Sequence, residues 1–461
     1  MKKLLRRTIP ILSLSIPLLA AACGGGGAKS AIAHSAGAKV FTTHGCNQCH
    51  TLSLVKATGQ VGPNLDLLKP DVATVEHQVR VGGNGMPPFA GQLSKRQIAD
   101  VASFVAAASR AAGKIPAFKP DATTVADCSK KGAAYDCYRQ AFGNLAYREG
   151  PAKALATLDT DSRSVPGVEA DCHQIAHAVG HAGLAYYHGN PAEALAHGAM
   201  TCNSGYYHGV IELSIAGLPR TKVIKIARKL CTSPSVTKED FLLYQCVHGL
   251  GHGLMIYSGD DLPYSLHVCD ELTTSFDQIS CTGGVFMQNL ATGMVTSQYI
   301  SAKNPIYPCN IVNQRHKYYC YLQVTERILQ VVGYNWPKVA TWCRRSEQGW
   351  VATCFQSMGR DASGYSQYHP EQTLPICADA GDMEGECIYG SSRDYANNFA
   401  GGKEAAVFCN LAPGRYRARC YEGIGTILGA LHRYTAGRRA ACAAVSPKKY
   451  VRACLHGAAV I

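Results

Sequence analysis

Cysteine content is the feature that most constrains the fold of this chain. The 461 residues include 21 cysteines, a number typical of proteins in an oxidising compartment, where disulfides persist. Eighteen of them lie between residues 128 and 461. Sixteen of them form eight close pairs, each predicted from its spacing to be a disulfide: Cys128/Cys137, Cys231/Cys246, Cys269/Cys281, Cys309/Cys320, Cys343/Cys354, Cys377/Cys387, Cys409/Cys420 and Cys442/Cys454. Cys172 and Cys202 are left over and could pair with each other. From Cys246 onward the second members recur every 33 to 39 residues.

A period near 34 residues is the length of one helix–turn–helix unit. In the last full unit an apolar helix begins at Cys420, a turn follows at 435–437, and a second helix ends near Cys442. Each disulfide would then join the end of one unit's second helix to the start of the next unit's first helix. By the loop-entropy model such a bridge adds roughly 2–4 kcal/mol.

The period and the helix pattern of residues 128–461 resemble a tetratricopeptide-type α-solenoid with added disulfides. This resemblance implies a shape and not a function. A globular helical bundle with irregular disulfides is the alternative. Either way the sequence predicts an all-α fold for this part of the chain.

The first 22 residues have the features of an export signal. Basic side chains among residues 2–7 precede an apolar run over 9–19, and small residues lead into Cys23. This pattern resembles a bacterial lipoprotein signal, which implies lipidation of Cys23 and an exported protein anchored to the membrane at its periplasmic or extracytoplasmic face. The departure is Ala20, where such signals usually have leucine. An ordinary cleaved signal that leaves Cys23 as an unpaired thiol is the alternative.

Residues 23–37, rich in glycine and alanine, are predicted to be a flexible tether. The formal net charge of the chain is +13, and this excess suits an acidic partner or an anionic membrane surface. No run of Lys and Arg marks a nucleic-acid site, so we expect no nucleic-acid partner.

A single short motif predicts a cofactor. Cys46, Cys49 and His50 form the C-x-x-C-H signature of c-type haem attachment. Two thiols one helical turn apart can form thioethers to both haem vinyl groups, and the adjacent imidazole can reach the iron. The C-x-x-C pattern also occurs in redox disulfides and zinc sites, so its surroundings matter.

Those surroundings include a short helix over 38–45, the loop Gly62-Pro63-Asn64-Leu65, a methionine-bearing loop over 83–89, and an amphipathic helix over 94–108. Together they resemble a small class I cytochrome c over about residues 31–112.

The resemblance implies one covalent haem c, held by Cys46 and Cys49, with His50 and Met86 as axial ligands. Such an iron has no open coordination position, so the domain would pass single electrons to or from a redox partner protein. We place the domain at 38–112 and a linker at 113–127.

Eight histidines lie between residues 173 and 252. His173, His177 and His181 follow one helix face, as do His248 and His252, and His208 lies between the two groups. Equivalent positions on consecutive first helices of a solenoid line one surface. The pattern therefore predicts a tentative second metal site for copper, iron or zinc. The tentative ligands are His177, His181, His208, His248 and His252.

Two other interpretations of these histidines stay open at this stage. They could be packed interior residues bonded to carbonyl or tyrosine groups, or protonatable groups of a binding groove.

Three functions follow from these features. The first is an oxidoreductase in which the haem relays electrons to or from a metal held by the histidines. The second is a non-enzymatic electron carrier whose solenoid docks a partner. The third is hydrolytic zinc chemistry with an unrelated cytochrome attached. No Gly-rich phosphate loop or G-x-S-x-G motif suggests another chemistry, and whether the chain is an enzyme stays open.

Overall fold

The structure is a computed structural model that describes residues 25–59, 61–82, 86–112, 118–130, 135–169, 171–199, 201–202, 204–291, 299–399, 401–432 and 434–461. The predicted signal peptide over 1–22 and the predicted lipidation site Cys23 lie outside these residues. The all-α prediction is confirmed, because the regular elements of the described residues are helices apart from one short pair of strands. None of the described helices is both long and apolar enough to cross a bilayer.

The N-terminal domain contains six helices and a two-stranded hairpin in its described part. They are α1 (Gly25–Ala33), α2 (Ala36–Thr43), α3 (Cys46–Cys49), β1 (Thr51–Leu52), β2 (Ala57–Thr58), α4 (Leu65–Leu68), α5 (Val72–Val81) and α6 (Lys95–Ala111). Strands β1 and β2 are antiparallel, with Thr51 opposite Thr58.

Helix α6 organises the core of this domain, as its apolar spacing predicts. Ser94 and Gln97 form a capping box that fixes the first turn. The buried face includes Phe104, whose ring meets the edge of Phe41 on α2 at a centroid distance of 5.6 Å. Helix α2 therefore packs directly on α6.

The predicted tether over 23–37 differs from the structure. Helix α1 occupies much of it, and Ile32 packs against the apolar core of the N-terminal domain. Alanine favours helix formation, and the burial of Ile32 against the core stabilises the helix further. A prediction of flexibility from glycine content includes neither effect.

The rest of the chain is a series of helix pairs. Their helices are α7 (Val125–Lys130), α8 (Tyr135–Glu149), α9 (Pro151–Asp161), α10 (Pro166–Glu169), α11 (Cys172–Tyr186), α12 (Pro191–Ala196), α13 (Gly205–Ile215), α14 (Arg220–Leu230), α15 (Pro234–Thr237), α16 (Asp240–Ser258), α17 (Leu262–Asp270), α18 (Ser275–Ala291), α19 (Gln314–Val332), α20 (Trp336–Cys343), α21 (Val351–Tyr365), α22 (Pro370–Ala378), α23 (Glu384–Asn398), α24 (Lys403–Leu411), α25 (Arg417–Leu431), α26 (Thr435–Val445) and α27 (Val451–Gly457).

The first helices of successive pairs stack side by side, so α11 packs on α13, α13 on α16, and α16 on α18. All eight predicted disulfides and the Cys172–Cys202 disulfide are present and link neighbouring units. The stack curves enough that α25 also touches α16, and a cavity of about 530 Å³ lies where these elements approach.

Glycine residues allow neighbouring helices of the stack to pack closely. A methyl group at Gly209 on α13 would lie 2.2 Å from the carbonyl oxygen of His177 on α11. Only a residue without a side chain fits there. This contact brings the histidine-bearing faces of α11 and α13 together.

Candidate functional site

Two thiols distinguish the N-terminal domain. Cys46 and Cys49 are the cysteines left out of the disulfides among the described residues. They lie at the two ends of the single-turn helix α3, with Cys49 exposed and Cys46 partly buried. Burial raises the pKa of the Cys46 thiol to about 11. This pair suits two covalent bonds to one planar group.

The adjacent imidazole is held in one orientation. Nδ1 of His50 donates a hydrogen bond to the carbonyl oxygen of Pro63 at 3.0 Å, which leaves Nε2 as the free lone pair. Burial lowers the pKa of His50, so the neutral ring is favoured. A methyl group at Gly62 would lie 2.5 Å from Cε1 of His50, so the backbone must pass close against this ring.

Met86 lies partly buried against the same apolar core as Cys46. Residues 83–85 of its predicted loop fall outside the described part of the chain. Paired thiols, an oriented imidazole and a nearby thioether are together the donor set that fits a covalently bound haem.

Five histidines come together on the facing sides of α11, α13 and α16. His208 on α13 lies at the centre, and its ring stacks on that of His252 at 4.0 Å between centroids. His173 and His177 approach it from α11 at 5.2 and 5.5 Å. His248 approaches it from α16 at 6.3 Å.

Hydrogen bonds fix the outer nitrogens of three of these rings. Nδ1 of His173 donates to the carbonyl oxygen of Cys202 at 2.9 Å. Nδ1 of His177 donates to a carboxylate oxygen of Glu212 at 3.4 Å, and Nδ1 of His252 to Oε1 of Gln288 at 2.9 Å. A neutral imidazole has one N–H, so each of these rings presents an Nε2 lone pair towards the cluster.

Those lone pairs are close together. Nε2 of His173 and Nε2 of His177 are 3.2 Å apart, and the Nε2 atoms of His248 and His252 are 3.3 Å apart. Two nitrogen ligands about 2.0–2.1 Å from one tetrahedral ion lie about 3.3–3.4 Å apart. The spacing of both pairs therefore matches that of ligands sharing an ion.

The electrostatics favour neutral rings. Burial lowers the pKa of His173 and of His248 to about 4, and it holds the pKa of His208 and of His252 well below the usual histidine value. Two groups of three histidines have ligand atoms within 4.8 Å of one another, namely His173, His177 and His208, and His208, His248 and His252. The cluster could thus hold a metal ion.

The predicted ligand set and the observed cluster differ at two positions. His173, which was not among the predicted ligands, joins the cluster. His181 instead places Nε2 3.3 Å from a carboxylate oxygen of Glu212 and is in neither group of three. Burial raises the pKa of Glu212, but the positive charge of His181 and hydrogen bonds from His177 and His181 outweigh it and hold that pKa well below the usual range.

The N-terminal domain docks beside this cluster. The backbone N–H of Gly217, just after α13, donates to the carbonyl oxygen of Leu68 at 2.8 Å. Arg220 then bridges the two domains, with its guanidinium 3.6 Å from Asp71 and 3.0 Å from Asp261. Since α13 rises about 1.5 Å per residue, His208 lies roughly 10 Å along it from the docked end.

Thus the N-terminal domain is a class I c-type cytochrome-like domain, followed by disulfide-linked helical repeats. Residues 33–105 match the family described as "Cytochrome C oxidase, cbb3-type, subunit III". A comparison with curated proteins and one with solved structures each found no match. The cytochrome domain implies haem c and a redox partner, and with the nine disulfides it indicates an exported protein.

Proposed function

We propose that this protein is an exported, lipid-anchored cytochrome that exchanges single electrons between a partner protein and a metal centre in its repeat domain. Cys46 and Cys49 hold one haem c, and His50 and Met86 are its axial ligands. When bound, haem supplies a one-electron couple whose potential is raised by the His/Met ligand pair. Residues 1–22 are the signal peptide, and Cys23 carries the lipid that anchors the protein at the extracytoplasmic face of a bacterial membrane.

The residues around His50 support its role as an axial ligand by holding its ring in one orientation. The carbonyl of Pro63 selects the tautomer with a free Nε2, and Gly62 lets the backbone pack on the ring. These contacts would orient Nε2 of His50 for a bond to the iron. Metal-bound histidines are commonly oriented in this way, by a hydrogen bond from the ring nitrogen that does not bind the metal. Little rearrangement is then needed when an electron arrives or leaves.

The histidine cluster is the second centre, and it binds copper or iron, because zinc has no redox couple and could not exchange an electron with the haem. One observation carries this assignment: the Nε2 lone pairs of His173 and His177 face each other at 3.2 Å, while both Nδ1 atoms donate to oxygen. Two lone pairs at that distance repel unless a cation lies between them. His181 contributes through Glu212, which orients His177.

An oxidoreductase follows from the position of the two centres. The cytochrome domain docks at the end of α13, and His208 lies on the same helix. The two donor sets are therefore held on packed domains of one chain, an arrangement that would suit electron exchange between a haem and a metal and that a mere scaffold would not require.

Metal analysis of the purified, haem-loaded protein tests the proposal. We expect copper or iron in stoichiometric amount beyond the haem iron, and its loss in the His208→Ala/His252→Ala variant. Absence of a second metal, with partner binding unchanged in that variant, would instead support a non-enzymatic carrier. Zinc as the second metal would favour hydrolytic chemistry, because zinc does not change its oxidation state.

A further inference from the structure

We infer that the cluster holds two metal ions and that the imidazole of His208 bridges them as an imidazolate. This inference rests on the proposed function, because it requires the cluster to bind metal at all. It adds the number of ions, the bridging residue and the class of centre, a histidine-bridged pair of divalent ions.

The division of the ligands is the first argument. In the described part of the chain, the candidate groups of three pair His208 either with His173 and His177 or with His248 and His252. The first pair belongs to α11 and the second to α16, on opposite sides of α13. Each pair has the nitrogen spacing of two ligands on one ion, 3.2 and 3.3 Å. Each needs a third ligand, and His208 is in both groups.

The burial of His208 is the second argument. Its side chain is 2% exposed, and neither Nδ1 nor Nε2 has a hydrogen-bond partner among the described residues. A buried polar atom without a partner costs about 1–3 kcal/mol. A single ion would use one ring nitrogen and leave the other buried and unsatisfied, whereas a bridge uses both.

Formation of the imidazolate bridge conserves atoms and charge. A neutral imidazole binds one ion through its lone pair, and the other nitrogen binds the second ion after its N–H proton passes to solvent. No electron is transferred in this step. The imidazolate and the carboxylate of Glu212, 3.4 Å from Nδ1 of His177, offset part of the added positive charge. An all-imidazole donor set suits copper and zinc.

Copper(II) alone is the probe. The full-length, haem-loaded protein is stripped of other metals with a chelator, titrated with copper(II), and followed by metal analysis and electron paramagnetic resonance. We expect two copper ions per chain, with an integrated copper signal that grows during the first equivalent and falls during the second, because an imidazolate couples the two spins.

Variants locate the two ions. His173→Ala/His177→Ala and His248→Ala/His252→Ala should each bind one copper, and His208→Asn should abolish the loss of signal. His197→Ala removes an exposed imidazole bonded to its own turn and should behave as the parent protein does, while circular dichroism checks that each variant is folded.

Three results would overturn the inference. One copper per chain, lost in the His208 variant, leaves the proposed metal centre standing and removes the second ion. Two copper ions whose signals simply add would remove the bridge. No copper at all, repeated with zinc and iron, would refute the metal centre of the proposed function itself.

Discussion

His173 and His177 face each other through Nε2 at 3.2 Å, while Nδ1 of each donates to an oxygen on another part of the fold. The acceptors are the carbonyl of Cys202, three residues before the next stacked helix α13, and the carboxylate of Glu212 on α13 itself. Repeat stacking therefore sets the tautomer of both rings. It also brings His208 to this pair, in a group of three histidines that could hold a metal ion.

Glu212→Gln should weaken metal binding by about 10–100-fold, the usual effect of losing a group that orients a metal-bound histidine. The amide lacks the negative charge that favours the N–H of His177 and His181. Competition titration with a chromophoric chelator measures the change. Glu193→Gln, an exposed change nearby, is the matched control and should bind as the parent does. Equal affinity in the two variants would show that Glu212 does not orient His177.

Met86→Ala should lower the reduction potential of the haem, because thioether ligation raises it. Redox titration followed by visible absorption measures the potential. The variant should also bind added imidazole, since a coordination position becomes open. Met358→Ala, in the core of the repeats on α21, should leave the potential unchanged. An unaltered potential in Met86→Ala would assign the sixth ligand to another residue.

Arg220→Ala should loosen the docking of the cytochrome domain. Its guanidinium contacts Asp71 and Asp261 and stacks on the ring of Tyr264 at 4.3 Å. Without it Asp71 and Asp261 lose a shared cationic partner and keep the backbone N–H groups of Thr74 and Tyr264, at an expected cost of about 1–3 kcal/mol. Hydrogen exchange should accelerate in α5 and around Gly217.

Arg228→Ala is the control for this change, because Arg228 pairs with Glu271 within the repeat domain and lies on the same helix, α14. If exchange in α5 is the same in both variants, Arg220 does not hold the domains together.

Asp394→Asn should change how stability depends on pH. Burial raises the pKa of Asp394 to about 7, against the lowering effects of Arg360, Tyr368, Asn398 and Arg393. A carboxyl whose pKa is higher folded than unfolded stabilises the fold below its unfolded pKa, and this stability is lost as pH rises through about 7.

The parent protein should therefore lose more unfolding free energy between pH 4 and 8 than the Asp394→Asn variant, as measured by urea unfolding at several pH values. The exposed Asp382→Asn should keep the parental slope. A steeper slope in Asp394→Asn would mean that the carboxylate is charged in the folded state.

Features encoded locally could be predicted from the sequence. The C-x-x-C-H motif places Cys46, Cys49 and His50 within one turn and the next residue, and each disulfide except Cys172–Cys202 joins cysteines 9 to 15 residues apart. The capping box that begins α6 likewise depends only on the four consecutive residues from Ser94 to Gln97.

The repeat pattern predicted that histidines of α11, α13 and α16 would converge, but the detailed contacts between these distant segments could not be predicted. Helical spacing puts His173, His177 and His181 on one face, but the crossing of α11 and α13 decides that the first two reach His208 and the third reaches Glu212. A signal for His173 was available in its i, i+4 relation to His177.

The docking of the two domains is the clearest case. His77 on α5 is half-buried in the structure, with burial lowering its pKa and Asp261 of the repeat domain opposing that effect. The contact joins residues more than a hundred positions apart, so no local pattern indicates it.

The visible absorption spectrum of the full-length protein, produced together with haem-attachment machinery and reduced with dithionite, tests the central claim most directly. We predict sharp Soret and α bands that stay with the polypeptide after acid–acetone extraction, since both thioethers are covalent. A colourless protein, or haem that extracts completely, would contradict the account of an electron-carrying chain.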